Sequence, residues 1–285
     1  MSEQRSDHQK QSKKILMRYK LIFLFLLFPS LAAFGTSRES ARDNIAGIVT
    51  RIQRADYAGD RATLQKCYDE LTPFLENAEL ASRVRYWRGF DLWRSGINGF
   101  NESVDAKELE RIFSQAVEEF KEALKKDASF IDAKVGLISC LGYMAFINRN
   151  EPDKMQPLVD QIMPLVEQAK AAAPDNPRLI WVLGPMIRRQ SPERGGGIDN
   201  AIANYKRGLE ICAKTKPNLD VLEPSWGKPE LMMSLAFGYL SKDPPDTNEA
   251  ERNARGALTL VPDWHYVRDI LLPQIISTKM TAKKS

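Results

Sequence analysis

The chain has 285 residues, 43% hydrophobic, 27% charged and 9% aromatic, with 16 Gly and 16 Pro, which is a globular composition long enough to bury a core and neither disordered nor collagenous. Lys and Arg outnumber Asp and Glu by 41 to 37, but residues 1–35 hold six basic and two acidic side chains, so the whole +4 sits there and the remainder balances at 35 against 35; a polyanion such as nucleic acid is a poor fit as partner. Only His265 follows residue 35, which rules out a multi-histidine metal site and any mechanism needing two imidazoles.

In chain order, the first segment reads as an address. Lys13, Lys14, Arg18 and Lys20 precede the apolar run 21–28, which is followed by Pro29, Ser30 and small residues around Ala32, Ala33 and Gly35. That order of basic, apolar and small residues predicts a signal peptide over 1–35 and an exported, periplasmic or secreted protein. The apolar stretch 21–34 is broken by Pro29 and is short for the roughly 30 Å of a bilayer core, so cleavage is favoured over an uncleaved anchor. No Cys follows it to accept a lipoprotein-type lipid, and Met17 offers a second start.

Beyond residue 36 the apolar spacing is helical. Ile112, Ala116, Phe120 and Ala123 form one stripe, and Leu158, Ile162, Leu165, Val166 and Ala169 form another. Turn residues punctuate such segments at Asn150-Glu151-Pro152, Pro174-Asp175-Asn176-Pro177, Gly195-Gly196-Gly197, Asp243-Pro244-Pro245 and Pro262-Asp263. The expected fold class is all-α: ten or eleven helices in about five stacked antiparallel hairpins, forming one α-solenoid domain over 36–278 with a basic tail at 279–285.

The hairpins repeat. Ala116-x3-Phe120-x2-Ala123 recurs as Ala201-x3-Tyr205-x2-Gly208 and Ala250-x3-Ala254-x2-Ala257, with Pro262 closing the last; Leu183-Gly184 and Met232-x2-Leu235-Ala236-x2-Tyr239 precede the latter two. Small residues let paired helices approach, and a ring fills the gap to the next pair. This pattern resembles tetratricopeptide (TPR) repeats over about 105–265, and the longer pattern from Asn176 through Gly184 and Gly195 to Trp226-Gly227-Lys228 is similar to exported, uncharacterised bacterial TPR-like proteins.

The resemblance implies a concave face lined by the first helix of each pair, carrying a protein or peptide partner. On that register the partner-binding stripe comprises Arg83, Tyr86, Phe90, Trp93 and Arg94, then Arg178, Trp181, Arg188 and Arg189, extended by Met233 and Phe237. Arginine and aromatic side chains are the usual makeup of binding hot spots; core packing is the competing role for the rings. The implied function is an exported interaction or scaffold protein of the cell envelope, without cofactor or metal, with homo-oligomerisation open. Two alternatives are a periplasmic partner of a TRAP-type solute transporter and an all-α carbohydrate-active enzyme.

The remaining motifs read structurally. Gly195-Gly196-Gly197 is a tight turn with no phosphate-loop lysine after it, and an anion on its N–H groups is the lesser reading. Trp226 between Pro224 and Pro229 anchors its loop on a neighbouring hairpin. Cys67, Cys140 and Cys212 have no metal or redox spacing, and their pairing is open. Glu118, Glu119 and Glu122 lie among lysines as on a solvated face, so the chain is not expected to be an enzyme.

Overall fold

The computed structural model describes residues 29–216 and 218–282. Contacts divide the chain into Met1–Asn44 and Ile45–Ser285. In the first unit the described residues are helical and belong to α1 (Pro29–Ala58). The expected signal peptide therefore falls outside the described residues up to 28, and its last positions, 29–35, are in α1. No helix among the described residues is long and apolar enough to cross a membrane.

The second unit continues α1 and adds α2 (Arg61–Glu70), α3 (Ala81–Asn101), α4 (Ala106–Lys126), α5 (Ile131–Ile147), α6 (Pro152–Ala172), α7 (Pro177–Arg189), α8 (Ile198–Lys214), α9 (Lys228–Leu240), α10 (Thr247–Leu260) and α11 (Leu272–Ala282). No strand occurs among the described residues. Helices α3/α4, α5/α6, α7/α8 and α9/α10 pack as consecutive pairs, and the first helices also touch in series, α3 on α5, α5 on α7 and α7 on α9. This is the all-α, TPR-like solenoid, with α1 and α2 before the regular pairs and a π-helical turn plus α11 after them.

Local chemistry explains where helices start. Asp60, Asp105, Asn176 and Asp246 accept hydrogen bonds from the free N–H groups of the first turns of α2, α4, α7 and α10. Pro152, Pro177 and Pro229 occupy first turns, where no N–H is needed. The stripe Ile112, Ala116, Phe120 and Ala123 is buried as its spacing requires. The tail differs from expectation: 279–282 continue α11, where Lys279 Nζ reaches Glu251 Oε2 at 2.8 Å, so a charge pair holds the segment on α10.

Stacking depends on rings meeting helix backbones. A Cβ on Gly89 would lie 2.9 Å from the Phe120 ring, and one on Gly136 in the next pair would overlap the same ring, so Phe120 occupies the space between two successive first helices. Gly184 leaves the corresponding room for the Tyr205 ring. Gly136→Ala is therefore expected to destabilise by about 1–3 kcal/mol through overpacking, despite about 1 kcal/mol gained in helix propensity. Gly47→Ala, with nothing within 4 Å of its Cβ, should stabilise; chemical denaturation of both variants checks the contrast.

Candidate functional site

The concave side is partly filled by the chain's own loop. Between α8 and α9 the segment 218–227 turns inward, and the Trp226 indole lies among Phe90, Trp93 and Trp181, with ring centroids 5.7, 5.5 and 5.6 Å away. Its Nε1 donates to Tyr86 Oη at 2.9 Å, while Trp87 Nε1 donates to the Leu222 carbonyl at 2.9 Å. Gly227 turns the loop into α9 at φ +127°, a conformation open to glycine, and its N–H donates to Glu230 Oε2.

What the loop leaves open is a cavity of about 390 Å³ bordered by the first helices α3, α5, α7 and α9. Phe100, Tyr143, Phe146, Trp181, Phe237 and Tyr266 supply aromatic walls. Burial pushes the Tyr143 and Tyr205 phenols up to about 12, so both walls are neutral. Arg188 stacks over the Phe237 ring at 5.0 Å, and Arg189 and Arg149 each lie 4.6 Å from the centre of Phe146. None of these three guanidiniums is in an ion pair among the described residues. Burial, and then repulsion from Arg188 and Arg149, lowers Arg189 from the ordinary guanidinium value. Among the described residues, no Asp, Glu, His or Cys borders the cavity.

The expected eleven-residue stripe separates into three groups. Tyr86, Phe90 and Trp93 are at most 1% exposed and are core under the Trp226 loop, a correction to their placement on a surface. Arg83 and Arg178 face carboxylates: Arg83 pairs with Asp127 and Glu223 at 2.8 and 2.6 Å, and Arg178 Nε and Nη2 hold Asp132 at 2.5 and 3.0 Å while Nη1 reaches the Trp226 carbonyl. These two fasten the inserted loop or its neighbours instead of waiting for a partner. Arg94, Trp181, Arg188, Arg189, Met233 and Phe237 do come together, all bordering the cavity. Trp181 is nearly buried and donates to Ser234 Oγ at 2.9 Å.

The stripe omitted α5. Tyr143 and Phe146 lie on that helix, whose apolar residues run all round it, so no single face stands out in the sequence. Arg149 follows one turn later and had no distinguishing signal.

The other motifs resolve physically. The N–H groups of Gly195, Gly196 and Gly197 donate to the carbonyls of Pro192, Ser191 and Ile187 at 2.9, 3.0 and 3.0 Å, so the turn uses the donors an anion would need. Trp226 anchors its loop as expected. Cys67, Cys140 and Cys212 are free thiols. Glu119 departs from the solvated face assigned to it: it is 5% exposed and receives Arg85, Arg88 and Tyr68.

Arg94 is 3% exposed at the cavity's inner end. Its Nε lies 2.8 Å from Asp56 Oδ2 and its Nη2 3.9 Å from Glu230 Oε1, while Nη1 makes no hydrogen bond. Burial is the chief cause raising both carboxyls above their ordinary values, and Arg94 opposes it. Tyr57 Oη donates to Glu230 Oε1 at 2.8 Å and the Tyr57 ring meets Trp264 at 5.0 Å, so this cluster joins α1, α3, α9 and the segment before α11.

No protein-family model matches the chain, and no curated protein does. Solved structures that share its fold include the following two. A thermophilic TPR protein of Thermus thermophilus superposes with TM-score 0.53 at 14% identity, covering 84% of this chain and 99% of that one. The HusA haemophore from Porphyromonas gingivalis superposes with TM-score 0.53 at 15% identity, covering 67% and 90%. At these identities the likeness establishes the TPR-like helical repeat fold alone.

Outside the cavity, Asp91 on α3 is 1% exposed and neither of its carboxyl oxygens forms a hydrogen bond. Burial, with the nearby Asp56 charge, pushes it well above the ordinary carboxyl range. A folded-state value raised above the unfolded one means that its stabilising contribution is complete below about pH 4 and declines as pH rises from there toward the folded value. Asp91→Asn is therefore expected to gain on the natural chain progressively between about pH 4 and pH 7. Urea midpoints across that range measure it; a gap independent of pH would contradict the assignment.

Proposed function

We propose that this TPR-like helical repeat protein is an exported, non-catalytic binding scaffold that holds an acidic segment of a protein partner at the mouth of its concave cavity. The observation that carries this reading is the trio Arg149, Arg188 and Arg189, stacked on Phe146 and Phe237 and free of ion pairs among the described residues. Stacked guanidiniums are held in place before a partner arrives and retain their donors for carboxylates. Six residues of the expected stripe border that cavity, which narrows the contact from a long groove to one mouth. Export rests on the basic, apolar and small-residue order of 13–35. The cavity border carries no carboxylate pair, which speaks for a binding role over glycoside cleavage.

Arg188→Glu with Arg189→Glu should abolish capture of the partner from envelope extract while circular dichroism stays helical, because both side chains are solvent-accessible and lack salt bridges. Undiminished capture would reject this mouth as the docking site.

A second reading, haem carriage, takes its motive from the haemophore likeness together with aromatic walls beside guanidiniums that would pair with acid groups. Haemin titration with a shifted Soret band, lost in the same double variant, is the expected result; an unshifted band removes that reading.

A further inference from the structure

The cavity behind the mouth has a polarity pattern that selects a ligand by itself. Its volume, about 390 Å³, falls within the roughly 300–1,000 Å³ of small-molecule sites. At the outer end stand Arg188 and Arg189, cations without carboxylate partners among the described residues. Between the ends are aromatic and aliphatic walls. At the inner end is Arg94, 3% exposed, whose Nη1 has no hydrogen-bond acceptor.

The two ends are not equivalent. Arg94 already faces Asp56 and Glu230, two carboxyls against one guanidinium, so a further negative charge there would be repelled. An uncharged group is what the inner end accommodates. The mouth has the opposite balance, with guanidiniums near enough to lower Arg189 and no acid to offset them. An anionic head therefore belongs outside and an uncharged body inside.

We propose that the cavity binds a free, low-molecular-weight apolar carboxylate, oriented with its carboxylate on Arg188 and Arg189, its apolar body between Trp181, Phe146 and Phe237, and an uncharged far end toward Arg94. This goes beyond a partner held at the mouth, because it requires no second protein.

Gly142 provides a clean probe: it borders the cavity on α5, and nothing lies within 4 Å of where its Cβ would stand. Gly142→Leu therefore starts a larger side chain from an open position on the cavity wall. The experiment follows displacement of anilinonaphthalene sulfonate fluorescence from the purified chain by dodecanoate, ω-hydroxydodecanoate and methyl dodecanoate, with no partner present. Both acids are expected to displace the dye, and the ester roughly ten-fold more weakly or worse, the equivalent of one lost charge contact. Arg188→Gln with Arg189→Gln should weaken the acids by a similar factor and leave the ester unchanged. Gly142→Leu should abolish displacement by all three while helicity is retained. Equal displacement by acid and ester, displacement that survives Gly142→Leu, or occupancy only by a peptide with a free C-terminal carboxylate would each overturn the proposal. Because no partner is present, such a failure leaves the capture experiment on the mouth to be judged separately.

Discussion

The insertion of Trp226 into the concave side is the contact on which the rest of the site depends. A stacked series of helix pairs leaves the inner faces of its first helices facing one another across open space. Here those faces carry Tyr86, Phe90, Trp93 and Trp181, rings too large and too apolar to stand in water without cost. The loop between α8 and α9 supplies the missing surface. Trp226 joins three of these rings and donates to the fourth, and Arg178, fixed by Asp132, holds the Trp226 carbonyl. The inserted loop thus covers one part of the concave side, and the cavity stands beside it, with Trp181 touching Trp226 and bordering the cavity.

The arginines show how burial assigns roles to chemically identical groups. Arg88 and Arg94 are buried and compensated by Glu119 and by Asp56 with Glu230, since an isolated buried charge would be prohibitive. Arg83 and Arg178 are partly covered and bind acids on neighbouring segments. Arg188 and Arg189 at the cavity mouth, with Arg149 beside them on the Phe146 ring, rest on aromatic faces, which position a guanidinium without consuming its charge. The compensated ones build the scaffold; the stacked ones can recognise an anion.

Much of the fold was legible because helix signals are local. The turn at Asn176, the stripe Ile112, Ala116, Phe120 and Ala123, and the small position Gly184 each act within one or two turns. The arginines and rings of the first helices were legible as candidates, and six residues of the expected stripe border the cavity. Which of them would be covered was not, because the covering residue, Trp226, is 133 positions after Trp93 in the numbering and sits in a segment without periodicity. Glu119 misled for the same reason. Its neighbours along α4 are lysines and glutamates, but its burial comes from Arg88 and Tyr68 on other helices.

By itself the amino-acid sequence determined an all-helical chain of repeating pairs, its turns at Pro and Gly, and the pool of arginine and aromatic side chains from which an inner surface is made. These follow from backbone preferences and from apolar spacing within a helix, both short-range. The tertiary structure alone decided which members of that pool lie under Trp226, which are paired with acids, and which remain at the open mouth, because coverage and charge compensation are set by segments far apart in the chain that meet only when the helices stack.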